Sequence, residues 1–280
     1  MNNFFTRTLT GAGIVIFIMG GFWLHPISFF IAGLVLIVGS QFEYYRIVTS
    51  MGVKPQTVAG ILAGISAYIL ATLVAAGRIR SKFILLILPF LAFIMIAELY
   101  RKTDRPFDSI SHTFFPLIYS VLPFSLFPFS AYDHTGLKTL VPHGHFLFSP
   151  GIVIGFFLLI WTNDTGAYLL GSLAGKHRLF ERISPKKSWE GFLGGAIITA
   201  AVSLLFSRWL GVVSPLKWVA ISLIVSIAGT FGDLTESMLK RSIGVKDSGN
   251  IMPGHGGFLD RFDSAVMSFP LVFLFISLFG

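Results

Sequence analysis

About nine stretches of this chain are apolar over the length needed to cross a membrane, and this feature limits the possible folds more than any other. The hydrocarbon core of a bilayer is roughly 30 Å thick and takes about twenty helical residues to span. The stretches run roughly over residues 8–24, 27–45, 57–77, 82–98, 109–129, 150–170, 191–207, 214–231 and 263–280. Because backbone polar groups must be paired internally in lipid, helices are the expected spanning form. The sequence predicts an all-α, polytopic integral membrane protein.

The distribution of charge predicts which side of the membrane each loop faces. Of the 280 residues, 54% are hydrophobic and only 12% are charged. Most of the 21 Lys and Arg residues fall on the cytoplasmic side if the N-terminus is cytoplasmic, as the positive-inside bias requires. On that topology every carboxylate except that of Asp133 lies on or near the cytoplasmic face. This segregation predicts a polar reaction site that faces the cytosol. We also expect an uncleaved first span, since no small-x-small cleavage site precedes a soluble region.

The polar motifs are confined to the second half of the chain. Residues 1–149 contain about five spans and no recognisable motif, whereas residues 150–280 contain about four spans and four polar segments. We expect residues 150–280 to form the catalytic region. The absence of Cys excludes disulfides, Cys-based zinc sites and Cys nucleophiles.

The first polar segment, WTNDTGAYLLG, ends or interrupts the sixth apolar stretch. Ionisable groups at membrane depth are costly and tend to mark functional sites, which makes Asn163 and Asp164 candidate binding residues. The alternative is that both lie at a helix end in contact with headgroup water. This segment alone does not decide between the two.

The second polar segment, ISPKKSWEG, precedes the seventh apolar stretch. Ser188 suits the N-cap of the following helix, Glu190 suits its first turn and Trp189 suits the membrane interface. Two lysines at a helix N-terminus oppose the helix dipole, so Lys186 and Lys187 are candidates for binding a phosphate beside free helix N–H groups. Their alternative role is that of ordinary positive-inside residues.

The third polar segment, GDLTESMLKRSIGVKDSGN, follows the eighth apolar stretch. If the helix continues, Asp233, Glu236 or Ser237, and Lys240 share one face because they recur at intervals of three and four. Glu236 and Lys240 are also compatible with a plain surface pair. Lys240, Arg241 and Lys246 place three cations within seven residues.

The fourth polar segment, PGHGGFLDRFDS, begins the last apolar stretch. Its glycines allow backbone N–H groups to approach an anion closely, and His255 is compatible with either a phosphate contact or a loop cap. Asp260 and Asp263 fall one helical turn apart, so their carboxylates point the same way and repel each other. A Mg²⁺ ion would offset that repulsion, since it is commonly held by one or two carboxylates and substrate phosphates. Arg261 is the alternative counter-charge.

Together the four segments supply carboxylates for a divalent cation, several cations for phosphates and a glycine-rich loop. This combination is typical of phosphoryl or nucleotidyl transfer, in which the protein mainly positions and neutralises charge. The chain has no Walker-type GxxxxGK[ST] loop.

The run SMLKRSIGVKDSGNIMPGHGGFLDRFD, from Ser237 to Asp263, resembles the signature of the phosphatidate cytidylyltransferase (CDP-diacylglycerol synthase) family. NDTGAY and ISPKKSWEG are similar to two further segments of its bacterial members. Met252 departs from the family pattern by an apolar exchange. The resemblance covers roughly the C-terminal 120 residues, and it implies an enzyme of the inner membrane in phospholipid biosynthesis.

The resemblance implies that CTP and phosphatidic acid react to give CDP-diacylglycerol and pyrophosphate, with Mg²⁺ and a possible second cation as cofactors. It implies no nucleic-acid partner, and a homodimer is compatible with it. The expected catalytic residues are Asp233, Lys240, Arg241, Lys246, Asp247, Asp260 and Asp263. The expected substrate-binding residues are Asn163, Asp164, Lys186, Lys187, Ser188, Glu190, His255, Gly256, Gly257 and Arg261. The expected metal ligands are Asp233, Asp260 and Asp263.

Two other functions are compatible with part of the pattern. A CTP-dependent lipid kinase of the dolichol or phytol type is also polytopic and basic, but it must activate a hydroxyl. A secondary transporter also has charges within the membrane, although it usually shows inverted repeats with polar interruptions in both halves. Here the polar groups lie at one end of the chain, which favours the transferase.

Overall fold

The computed structural model describes residues 3–132, 147–242, 244, 248–249 and 256–279, with side chains from residue 8 onward. The described chain is almost entirely helical and divides into two compact units. The first unit comprises residues 1–150 and 247–259, and the second comprises residues 151–246 and 260–280.

The first unit is built from helices along the first half of the chain. They are α1 (Asn3–Trp23), α2 (Pro26–Ser50), α3 (Thr57–Ala75), a 3₁₀ turn (Ser81–Leu86), α4 (Ile87–Leu99), α5 (Pro106–Pro116), a π turn (Leu117–Val121), α6 (Leu122–Ser125) and α7 (Phe127–Ala131). Helix α2 begins with a proline in its first turn, where the missing N–H has no helical partner to lose. His25 caps that helix, and Ser28 completes the reciprocal capping box.

The helical run over Pro106–Ala131 is broken into short pieces by its prolines. Proline lacks an N–H and displaces the carbonyl four residues earlier, so it interrupts the regular hydrogen-bond ladder. Pro116 precedes the π turn, while Pro123 and Pro128 lie in the first turns of α6 and α7. Together the pieces are still long and apolar enough to cross a membrane.

Close packing of α2 against α3 depends on small residues opposite tyrosines. A Cβ added at Gly33 would overlap the Tyr68 side chain, and one added at Gly60 would overlap the Tyr45 side chain. Small residues of this kind let helices approach closely in a membrane protein. Both tyrosines are buried.

The second unit contains four long helices and a β-hairpin. They are α8 (Gly151–Ala174), β1 (Arg178–Phe180), β2 (Ser184–Ser188), α9 (Trp189–Trp209), α10 (Pro215–Ser242) and α11 (Leu259–Phe279), of which Leu259 itself belongs to the first unit. The two strands pair antiparallel, with Arg178 opposite Ser188 and Phe180 opposite Ser184. Gly191, Gly194 and Gly195 form a small-residue face of α9 that packs against α8.

The helical membrane architecture confirms the predicted fold class. Within the described residues, eight helices are long and apolar enough to span a membrane, and the apolar part of the first helix, Thr8–Trp23, is shorter. Helix α10 continues well beyond the apolar stretch that ends near residue 231, as far as Ser242. The segment that begins with Asp233 is therefore helical. The hairpin was not expected from the sequence.

Candidate functional site

The second unit contains a cavity of about 530 Å³ that is lined by residues from several predicted segments. The predicted site residues on its wall are Asn163, Asp164, Lys186, Lys187, Ser188 and Asp233. Helix α8 contributes the first two, strand β2 contributes the next three, and α10 contributes the last. Segments up to about seventy residues apart in sequence thus meet at one cavity.

The charged wall of this cavity includes an ion pair between the hairpin and α10. Lys187 Nζ lies 2.6 Å from Asp233 Oδ2, and both side chains are about one-third exposed. Ser237 Oγ also donates a hydrogen bond of 3.2 Å to Asp233 Oδ1. Lys187 lies on strand β2, one residue before Ser188, which caps α9 by accepting a hydrogen bond from Gly191 N.

Three carboxylates of this unit repel one another. Asp164 interacts electrostatically with Asp233, and the cations that offset this repulsion are Lys187 and Arg261. Asp263 is buried and interacts with both of these carboxylates and with Glu236. Interacting carboxylates disfavour ionisation of all of them at once unless a cation lies nearby.

Lys240 forms a buried charged cluster with two carboxylates. Its Nζ lies 2.5 Å from Glu236 Oε2, one helical turn earlier, and also pairs with Asp260 Oδ1 at the start of α11. Glu236 is only 1% exposed and Lys240 9% exposed. In this structure Lys240 therefore neutralises carboxylates, and a metal ion at Asp260 would compete with it.

Asn163 and Glu190 have different environments. Asn163 is buried on the cavity wall, and within the described part of the chain no group donates a hydrogen bond to its Oδ1. Glu190 instead accepts from the backbone N–H groups of Lys176 and His177 and pairs with His177 Nδ1 at 2.6 Å. Its carboxylate therefore stabilises the backbone that connects α8 to the hairpin.

The two described glycines of the fourth segment lie in the first unit. Gly256 has a φ of 85°, a conformation that glycine adopts without strain. Gly257 packs so closely against Ser248 and Glu43 that an added Cβ would overlap both side chains. Packing alone therefore requires a glycine at position 257.

Five further predicted site residues are either exposed or outside the described part of the chain. Arg241 and Arg261 are exposed, while Lys246, Asp247 and His255 lie outside the described residues. Within residues that the structure describes, no three His, Asp or Glu side chains already converge as a metal-binding group. The metal assignment to Asp233, Asp260 and Asp263 thus stays a prediction.

Sequence reasoning missed two residues that the structure brings to attention. Arg178 lies on the cavity wall because the unexpected hairpin places it there. Glu43 is a fully buried carboxylate of the first unit. Its position within an apolar stretch was a signal available in the sequence, because carboxylates at membrane depth are rare.

Comparison with known proteins identifies similar chains. The model of the cytidylyltransferase family matches residues 5–279. Over 118 residues the chain is 50% identical to a Staphylococcus saprophyticus protein, 48% to one from Staphylococcus aureus and 47% to one from Staphylococcus epidermidis, each named phosphatidate cytidylyltransferase. The matched segment is 41% of this chain and 45% of each relative, so the chain spans less than half the length of the curated relatives it matches.

Proposed function

This chain belongs to the cytidylyltransferase family, and we propose on that basis that it transfers the cytidylyl group of CTP to phosphatidic acid. The products are CDP-diacylglycerol and pyrophosphate. A phosphate oxygen of phosphatidic acid forms a bond to the α-phosphorus of CTP. The bond from that phosphorus to the oxygen bridging to the β-phosphate breaks, and pyrophosphate leaves with the electron pair.

The charge composition of the cavity supports this reaction. The attacking phosphate is already anionic near neutral pH, so no general base is needed to deprotonate it. The main difficulty is to bring two polyanions together, which requires cations and desolvated dipoles. Lys186, Lys187 and Arg178 supply three cations on one wall, and Asn163 supplies a buried amide.

We propose that a divalent cation binds among the carboxylates of the second unit. Asp164, Asp233 and Asp263 repel one another, and oxygen ligands of this type suit Mg²⁺. The residues proposed to hold Mg²⁺ are Asp233, Asp260 and Asp263, and at Asp260 the ion would displace Lys240. When bound, Mg²⁺ neutralises phosphate oxygens and stabilises the charge that develops on the leaving group.

In this proposal the basic residues of the cavity bind and orient the substrate phosphates. Lys187 reaches the phosphates by exchanging its contact with Asp233 for a substrate oxygen. Lys186 and Arg178 add positive charge at the same wall. The basic character of the chain, with a formal net charge of +8, favours anionic lipid at the membrane surface.

A nucleotide survey tests the proposal. Purified protein in detergent is incubated with phosphatidic acid and each of the four nucleoside triphosphates, in Mg²⁺ or in EDTA. We expect pyrophosphate and a nucleotide-lipid product with CTP and Mg²⁺, and neither in EDTA. Pyrophosphate release without a nucleotide-lipid product would contradict the proposal.

The proposed topology has a separate test. We propose that the protein resides in the inner membrane with its site open to the cytosol. Reporter fusions at loops before α9 and after α10 should both report the cytoplasm, because these segments carry the proposed site. A periplasmic signal from either fusion would contradict this orientation. Homodimer formation stays a prediction from the sequence.

A further inference from the structure

Glu43 is a carboxylate that the proposed reaction does not use, and it is completely buried in α2. A buried carboxylate is expensive unless polar groups hold it. Two donors from the later part of the first unit hold its Oε2, while no group in the described part of the chain donates a hydrogen bond to its Oε1. Ser248 Oγ donates to Glu43 Oε2 at 2.8 Å, and the backbone N–H of Leu259 donates to the same oxygen at 2.6 Å.

Through its contact with Leu259, Glu43 of α2 caps the N-terminus of another helix, α11. Leu259 is the first residue of α11, and the first N–H groups of a helix have no partner within it. A negative charge at that end also interacts favourably with the helix dipole. Glu43 therefore fixes the point at which α11 begins, although it lies 216 residues earlier in the chain.

The glycines around this carboxylate support a dedicated contact. A Cβ at Gly249 or at Gly257 would overlap Glu43. The backbone on each side thus packs directly against the carboxylate, and side chains at these two positions would push it away. Two glycines, one hydroxyl and one helix N-terminus all meet the same side chain.

We infer that Glu43 is a positioning residue for the proposed transferase. It holds the end of the glycine-rich loop and the first turn of α11. Asp260 follows Leu259 directly in the chain, and Asp263 lies one helical turn further on. Loss of the Glu43 contact therefore frees the N-terminal end of the helix that carries both carboxylates. Glu43 acts in this way without contacting a substrate. This inference rests on the proposed function for its consequence in turnover.

Amide hydrogen exchange tests the contact without relying on activity. The variants are Glu43→Gln, Glu43→Ala and Ser248→Ala in the full-length protein in detergent, and peptides covering residues 256–264 are followed by mass spectrometry. Hydrogen bonds to charged groups hold a segment more strongly than neutral ones. We expect exchange in these peptides to be about tenfold faster in Glu43→Ala, with smaller increases in Glu43→Gln and Ser248→Ala.

Glu98→Gln is the matched control. Glu98 is also a buried carboxylate of the first unit, but it accepts hydrogen bonds from Gln56, Arg101 and Thr103. We expect this variant to leave exchange over residues 256–264 unchanged. Equal acceleration in the control, or no acceleration in the Glu43 and Ser248 variants, would overturn the inference.

The Mg²⁺ dependence of turnover separates positioning from a loss of folded protein. A smaller folded fraction lowers the maximal rate but leaves the Mg²⁺ concentration for half-maximal rate unchanged. Displaced carboxylates should raise that concentration about tenfold in Glu43→Gln. An unchanged Mg²⁺ concentration for half-maximal rate, together with unchanged amide exchange over residues 256–264, would overturn the positioning role. If the wild-type protein forms no nucleotide-lipid, the proposed function fails, and exchange still decides whether Glu43 holds the loop. If Glu43→Gln does not fold, Ser248→Ala provides both measurements.

Discussion

Replacing Lys240 by Met tests how strongly the buried charged cluster of the second unit stabilises the protein. Lys240 pairs with Glu236 and Asp260, and the three side chains are only 11%, 1% and 6% exposed. Solvent therefore screens this cluster weakly. Removing one partner of a buried ion pair typically costs about 3–5 kcal/mol, because the remaining charge stays buried without compensation. We expect the Lys240→Met variant to lose an amount in that range.

The double variant tests the origin of that loss. Glu236→Gln in the Lys240→Met background removes the more deeply buried of the two carboxylate charges. We expect it to recover about half or more of the lost free energy of unfolding, since a neutral pair avoids the cost of an unpaired buried charge. Turnover should not recover, because Asp260 still lacks the ammonium group of Lys240.

The assay is reversible unfolding of the purified protein in mixed micelles by increasing fractions of denaturing detergent. Turnover is measured on the same samples at low denaturant. A loss below about 1 kcal/mol in Lys240→Met would show that the cluster behaves like an exposed ion pair. A double variant less stable than the single one would also refute the reasoning.

Three further substitutions give distinct expectations. Lys187→Ala should change the free energy of unfolding by less than about 1 kcal/mol, since the pair of Lys187 with Asp233 is partly exposed. The same variant should lower turnover about tenfold or more in a steady-state assay. A loss of turnover that is matched by a loss of folded protein would contradict its role in binding. Gly257→Ala should cost about 1–3 kcal/mol in the same unfolding measurement, because the new methyl group overlaps Glu43; a neutral effect would contradict the packing. Glu190→Gln should increase proteolytic cleavage between α8 and the hairpin, and unchanged cleavage would show that its hydrogen bonds do not hold that segment.

The spanning helices could be predicted because lipid imposes a length and a composition on them. That criterion does not give the end of α10, since its last turns are charged and leave the apolar pattern. Only the spacing of Asp233, Glu236 and Lys240 indicated that the helix continues. Periodicity was thus informative where hydropathy was not.

The hairpin could not be predicted from its own residues. Strands β1 and β2 are short, and β2 contains two lysines and a proline, which are poor strand formers. Their pairing depends on anchors at the ends, where Glu190 holds the backbone of Lys176 and His177. Such anchors become visible only when the chain is folded.

The charged clusters were partly predictable. The pair of Glu236 and Lys240 follows from helical spacing, but the third member, Asp260, is twenty residues further along the chain. The contact of Glu43 with Ser248 and Leu259 joins positions more than 200 residues apart. Local spacing carries no information about contacts of that kind, so they require the tertiary structure.

Transfer of radiolabel from CTP to lipid tests the central proposal most directly. Purified protein receives phosphatidic acid, Mg²⁺ and CTP that is labelled with ³²P at either the α- or the γ-phosphate. Cytidylyl transfer predicts that the α-label enters the organic phase as a nucleotide-lipid and that the γ-label stays in water as pyrophosphate. A γ-label in the lipid, with CDP as the water-soluble product, would identify a kinase and contradict the account.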